Sequence, residues 1–465
     1  MFKSPHKTIK KTLSITGLAL LTFAAVSPLC QAQTASVGNP EARQQLAQTI
    51  GNFPVTVPAL GDSAAGDPSP QGGQATKSVT QLSGRTISRD RNAPRRQNLQ
   101  AIKIIKHVNG LFGGFEQGAG FGFGVEVTTA DKLPGVEIYA RAMGSMRLYR
   151  QGEVGAIVGN ETTRGQVWFN YLRRTRDNFF GIGPRTSDLL ETNYSVEARS
   201  FNGVLSHKFK KNLEGGLYGR FSDTGSFDGE DDKDPLLSTL FTGNPAAANP
   251  TRYLPGLNTN VRLFQYGAYA ELDLRNNERG LTQGGYIYGR FASIDGLDNG
   301  NAFSDYGWIE TELDGRVYIP VLSRKTSVAL RAYADLKEPK RGSQIPFYEL
   351  SWLGGRSYLR GFQNYRFRAN NFALFQGEFR QTVWPQEEDQ GVDLIVFADG
   401  GQVWGDNRSK TNPFILANDR FRDENWRIGV GGGVQYRLNK STAFRVDIGT
   451  TNEKTKVYFS LSRGF

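Results

Sequence analysis

A run of nine residues, GGRSYLRGF at 354–362, combines two arginines and two aromatic residues with three glycines. An arginine guanidinium presents a planar fork of donors that suits carboxylates. Among the acidic residues that follow, Glu378 in GEFR and Asp399 in FADGG lie on the next two predicted strands. These residue types predict an ion-paired site joining Arg360 to Glu378 and Asp399. Gly361 would let the backbone turn sharply beside it, and Phe362 would pack on the adjoining wall.

Other residues that could take part in catalysis or metal binding lack the partners that such chemistry needs. His6, His107 and His207 show no metal-ligand spacing. Ser206 directly precedes His207, so in a strand the two side chains point to opposite faces and form no catalytic dyad. The acidic stretch 228–235 has oxygen ligands that suit Ca²⁺, but a solvated acidic loop has the same composition. The sequence therefore predicts no enzyme, no metal site and no cofactor.

Alternating hydrophobicity runs through the chain from about residue 119 and predicts β-strands. In FQYGAYAELDLR at 264–275, apolar and small side chains occupy one face while Gln265, Glu271 and Asp273 occupy the other. The same period of two recurs throughout this part of the chain, and about fourteen strands are supported by it. The chain has 55 glycines and 12% aromatic residues but no stretch of ~20 apolar residues, which excludes a membrane-spanning helix.

The two strands after the GGRSYLRGF run place charges on one face. In 371–383, Phe375 and Phe379 point outward while Glu378 and its polar neighbours point inward. In 392–404, Leu394 and Val396 point outward and Asp399 points inward. Arg360 is therefore predicted to meet both acids if its loop folds into the interior.

The connections between predicted strands differ in length from one end to the other. Short ones alternate with long ones at 175–192, 225–259, 338–370 and 405–424. This asymmetry is typical of outer-membrane barrels, with periplasmic turns and extracellular loops. The sequence thus predicts an all-β fold, a transmembrane antiparallel β-barrel with both termini in the periplasm. The 338–370 connection is predicted to be an extracellular loop that folds into the lumen.

The N-terminal part differs from the predicted barrel at 119–465. Residues 1–32 have a basic start, an apolar stretch and the small-x-small end Cys30-Gln31-Ala32, so a signal peptide is expected. A lipoprotein signal at Cys30 is the alternative, which Leu29 fits poorly. Residues 33–118 are predicted to be a low-complexity periplasmic tail, mostly disordered. Its arginines at 85–96 indicate either a solvated linker or contact with anionic lipid headgroups.

The last ten residues, KVYFSLSRGF, read as a final lipid-facing strand. Phe459, Leu461 and Phe465 share an apolar face, and the terminal aromatic fits the membrane interface. Such an end resembles the signal by which barrel-assembly machinery recognises its clients, so the chain is expected to be one of those clients.

The segment LGGRSYLRGF, followed by GEFR and FADGGQVW, resembles the C-terminal barrel of the BamA/TamA superfamily, the bacterial surface antigen barrels. The motif at the tip of that family's sixth extracellular loop corresponds to Leu359, Arg360, Gly361 and Phe362. The resemblance implies sixteen strands and a lumen-folded loop whose arginine pairs with Glu378 and Asp399. Residues 33–118 are too short and polar for the family's periplasmic repeat domains, which indicates the subgroup without them.

Two functions remain open at the level of sequence. The resemblance implies a cell outer-membrane protein that inserts or translocates proteins or lipid, with a polypeptide as possible substrate. The alternative is a passive porin-like channel or structural surface antigen. Outer-membrane lipid and lipopolysaccharide are the expected surroundings, and nucleic acid is not an expected partner.

Overall fold

The structure is a computed structural model that describes residues 108–116, 120–128, 136–230, 235–244, 253–276, 281–297, 306–321, 323–385, 390–405, 420–438 and 443–460. The predicted signal peptide lies outside these residues, as does the predicted tail up to residue 107.

Sixteen antiparallel strands form one sheet in which each strand pairs with the next. They are β1 (Val108–Glu116), β2 (Gly120–Thr128), β3 (Val136–Ser145), β4 (Arg150–Gly159), β5 (Thr163–Phe179), β6 (Thr192–Lys210), β7 (Leu213–Asp228), β8 (Asn260–Asp273), β9 (Gly284–Gly296), β10 (Gly307–Val321), β11 (Ser323–Pro339), β14 (Asn371–Pro385), β15 (Gly391–Trp404), β16 (Arg427–Arg437), β17 (Ala443–Thr450) and β18 (Thr455–Ser460).

Between β11 and β14 the chain leaves the sheet as the lumen loop, residues 340–370. It contains the short antiparallel pair β12 (Ser351–Leu353) and β13 (Phe367–Ala369). Helical structure in the described residues is limited to single turns. These are the α-helical turn α1 (Leu237–Leu240) and three 3₁₀ turns at Asp188–Leu190, Phe347–Glu349 and Asp423–Asn425. No helix among the described residues has the length and apolarity needed to cross a membrane.

The sheet buries charge on its inner face and exposes apolar side chains on its outer face. On β14, Phe375 is 55% exposed and Phe379 43%, whereas Glu378 is 2% and Arg380 1% exposed. A protein surrounded by water would expose the opposite set. Strands with an apolar outer face and a polar interior are those of a barrel in lipid.

The inner face curves around the lumen loop. The loop contacts both the last strand and the β5–β6 connection: the Gly361 amide donates to the Tyr458 hydroxyl at 2.9 Å, and the Gln363 side chain donates to Glu191 at 2.7 Å. A group of buried apolar side chains also joins the first part of the lumen loop to the connection between β7 and β8. Phe347 and Tyr348 pack there with Leu237, Phe241 and neighbouring wall residues.

The sixteen strands of the sheet confirm the number that the family resemblance implies, whereas the alternating pattern alone supports about fourteen. The sheet also begins at Val108, whereas the sequence interpretation starts the barrel at residue 119. Glycine explains both differences, because β1 (VNGLFGGFE) and β2 (GFGFGVEVT) carry three glycines each and so weaken the alternating pattern.

Candidate functional site

The lumen loop presents Arg360 from a tight internal turn. The Gly355 amide donates to the carbonyl of Phe362 at 3.1 Å, and the Leu359 amide donates to the carbonyl of Gly355 at 3.1 Å. These bonds close residues 355–362 into a compact tip. Leu359 and Phe362 are buried in a cluster with Trp352, and so fix the tip to the rest of the loop.

The structure brings Arg360 against both acids named from the sequence. Its Nε donates to Asp399 Oδ2 at 2.7 Å and its Nη2 to Oδ1 at 2.6 Å, a two-pronged pairing. The Arg360 backbone amide donates to the same Oδ2 at 3.0 Å. Nη1 donates to Glu378 Oε1. Every side chain in this set is at most 2% exposed, so the pairing is held away from bulk solvent.

The surroundings keep the guanidinium charged. Burial by itself lowers the pKa of Arg360, but the charges of Asp399 and Glu378 outweigh it and raise the pKa above its ordinary value. The ring of Phe397 lies under the guanidinium, 3.6 Å from its carbon to the ring centroid. Such a cation–π contact adds attraction that does not depend on the carboxylates.

Glu378 is shared by more arginines than the sequence interpretation named. Arg445 donates to its two oxygens at 2.8 and 3.1 Å, and Arg380 donates to Oε2 at 2.8 Å. Arg445 is also paired with Asp447 at 2.8 Å. The sequence of β17 could have pointed to these two residues. Arg445 and Asp447 are its polar positions and alternate with Phe444, Val446 and Ile448.

Glycines allow the tip of the lumen loop to approach the wall. Gly361 has φ of +97°, which favours glycine. A Cβ built on Gly429 of β16 would lie 1.9 Å from the carbonyl oxygen of Arg360, and one on Gly449 would lie 2.8 Å from the Gly361 amide nitrogen. A side chain at either of these two wall positions would displace the tip of the loop, so the site requires glycine at both.

Two further contacts attach the lumen loop to the last hairpin, β17–β18. The Tyr458 hydroxyl donates to the carbonyl of Phe362 at 3.1 Å. Arg366 forms a two-pronged pair with Glu453 in the hairpin turn, with both distances 2.8 Å, and donates to the carbonyl of Thr186 at 2.5 Å. Arg366 therefore joins the hairpin to the β5–β6 connection through the loop.

The predicted C-terminal residues are placed only in part. Phe459 lies on the outer face of β18 and is 52% exposed. Leu461 and Phe465 lie outside the described residues, so their role in recognition by assembly machinery stays a prediction.

The described residues of the site are joined by ion pairs and by contacts with the backbone of the lumen loop. Among the described residues, no group of three or more His, Cys, Asp or Glu is placed to hold a metal ion. What the arrangement can do is hold a long loop inside the sheet and release it only when several buried charges lose their partners.

Residues 192–465, more than half of the chain, match the Omp85 superfamily domain. The chain belongs to the Omp85 superfamily. This confirms the resemblance to BamA/TamA barrels, and it identifies the sheet as an outer-membrane β-barrel.

One solved structure agrees at the level of fold, and a second shows a weaker similarity. BamA from Haemophilus ducreyi lacking POTRA domains 1–3 is 13% identical with a TM-score of 0.54, over 76% of this chain and 67% of that chain. CdiB from Escherichia coli is 13% identical with a TM-score of 0.47, over 76% of this chain and 61% of that chain. This chain thus spans less than two thirds of the CdiB chain.

Proposed function

We propose that this barrel takes part in inserting or translocating polypeptides, or lipid, at the outer membrane. The observation that carries the proposal is the lumen loop, which occupies the interior and is held there by Arg360 on Glu378 and Asp399. A loop held against the wall by buried charges fills space that a wide solute channel would leave to water. A barrel whose interior or edge rearranges for a client needs such an element.

The proposal includes an orientation and no chemical reaction. The long connections face the cell exterior and both termini lie in the periplasm, because long loops on one side and short turns on the other are the usual arrangement of such barrels. We assign the protein no enzymatic reaction. Its partners are outer-membrane lipid, a polypeptide client and, during its own assembly, the barrel-assembly machinery.

A passive channel or structural surface antigen is the second candidate, favoured by the low content of large apolar residues in 33–97. That segment leaves little room for client-binding domains of the kind built from packed helices and strands.

Depletion of the protein separates the two candidates. We expect the outer membrane to lose a specific subset of proteins, which wild-type chain restores and Arg360→Ala does not. Arg341→Ala is the matched control, because Arg341 lies in the same loop and is exposed. An unchanged outer-membrane protein content after depletion would support the passive candidate and remove the proposal.

A further inference from the structure

The outer face carries a group of arginines at the border of its apolar surface, on the side of the long connections. Arg150 at the start of β4 lies directly opposite Arg173 on β5. Arg199 on β6 is the diagonal neighbour of Arg173, since it pairs with Tyr171. Directly opposed residues on neighbouring strands have Cβ atoms only ~4.5–5.5 Å apart, and like charges in that arrangement repel.

Nearby carboxylates compensate this cluster only in part. Arg173 pairs with Glu230 at 2.8 Å and Arg199 with Glu197 at 3.1 Å, and all four side chains are 30% exposed or more. Pairs exposed to that degree contribute little. Within the described part of the chain, the guanidinium of Arg150 has no carboxylate within 4 Å. The cluster therefore has excess positive charge at its β4–β5 side.

The surface next to the cluster is apolar and continuous with it. Phe169, four positions from Arg173 on β5, lies opposite Phe201, two positions from Arg199 on β6. Val167 and Leu205 follow them along the same two strands. Val154 continues the surface on β4, and these side chains are 44–56% exposed. A ligand with negative charge at one end and acyl chains at the other would match both regions.

We infer that Arg150, Arg173 and Arg199 form a binding site for the phosphate groups of a lipid headgroup in the outer leaflet. Arginine forks suit phosphate oxygens, and a phosphate between Arg150 and Arg173 removes their mutual repulsion. The acyl chains lie along the Phe169–Phe201 surface. The inference rests on the proposed orientation, which places this border at the outer leaflet.

The test uses the full-length protein and lipid A as the probe. Native mass spectrometry of the wild type should show retained bis-phosphorylated lipid A, little dephosphorylated lipid A, and no displacement by millimolar inorganic phosphate. The Arg150→Gln/Arg173→Gln variant should bind lipid A roughly 30-fold more weakly, since each basic residue at an anionic lipid surface contributes about fivefold. Arg341→Gln should bind as the wild type does.

Two results would overturn the inference. One is equal lipid A binding by the double glutamine variant, shown by its heat-modifiable mobility to be folded. The other is equal binding of dephosphorylated lipid A, which would leave only apolar attachment. Failure here is distinct from failure of the proposed function, because the depletion experiment depends on Arg360 and not on the outer arginines.

Discussion

Arg360 holds the lumen loop in the interior of the barrel. Its charge is buried together with those of Glu378 and Asp399. Removing one partner leaves the other charges buried without compensation, a loss of ~3–5 kcal/mol in well-buried sites. Glu378 also pairs with Arg380 and Arg445, and these contacts make that acid the centre of the network. Asp399 belongs mainly to Arg360, since it accepts two side-chain bonds and one backbone bond from it.

Arg360→Ala and Asp399→Ala should therefore each lower the free energy of unfolding by ~3–5 kcal/mol. The double variant should lose about as much as either single one, because both substitutions remove the same interaction. Equilibrium unfolding of the refolded barrel in lipid vesicles measures this, with Arg341→Ala as the control. Losses that simply add would mean that the two residues act separately.

The glycine at 429 offers a test at the same site without changing any charge. Gly429→Ala places a Cβ against the Arg360 carbonyl, so the tip of the loop must shift and ~1–3 kcal/mol of stability should be lost. Gly152→Ala on β4 is the matched control, because its Cβ has no atom within 4 Å. Equal unfolding free energies for the two variants would show that the tip does not press on β16.

At the scale of elements, the lumen loop joins the last hairpin to the β5–β6 connection. Arg366 is 2% exposed and bonds Glu453 of the hairpin on one side and Thr186 on the other. The edge hairpin is thus held by a contact separate from the Arg360 site. Freeing that hairpin requires either loss of this pair or movement of the loop with it.

Glu453→Arg should raise amide exchange in β18 by roughly tenfold, the equivalent of about 1.4 kcal/mol. Exchange in β7 and β8 should not change, because those strands lack contact with Glu453. Adding Arg366→Glu should restore part of the protection, although Thr186 would stay without its donor. Asn452→Arg in the same turn is the control, since Asn452 is exposed. Absence of any rescue by the swapped pair would contradict a direct ion pair.

The sequence predicted the elements near the site better than those far from it. Strands β14 and β15 alternate strictly, so the inward positions of Glu378 and Asp399 followed from period two alone. Arg445 and Asp447 alternate equally well, but nothing local indicates that β17 faces the same loop tip. The Arg366–Glu453 pair spans 87 residues and depends on how the sheet curves, which no local pattern specifies.

At the scale of the molecule, exposed apolar strands and a buried charged interior require lipid outside the sheet. The folded protein should migrate faster in gel electrophoresis unheated than boiled, because outer-membrane barrels pair their backbone groups between strands and so resist unfolding by detergent. Fractionation should recover it with the outer membrane. Recovery as a soluble periplasmic protein with a single mobility would contradict the fold assignment.

The occupied interior is the central claim, and conductance in planar bilayers tests it most directly. Most of residues 345–370 are buried within the sheet, so wild-type barrels should show small, infrequent currents. Arg360→Ala should release the loop tip and raise the open probability, while Arg341→Ala should behave as the wild type does. A large, steady conductance of the wild type that Arg360→Ala leaves unchanged would show that the loop does not fill the interior.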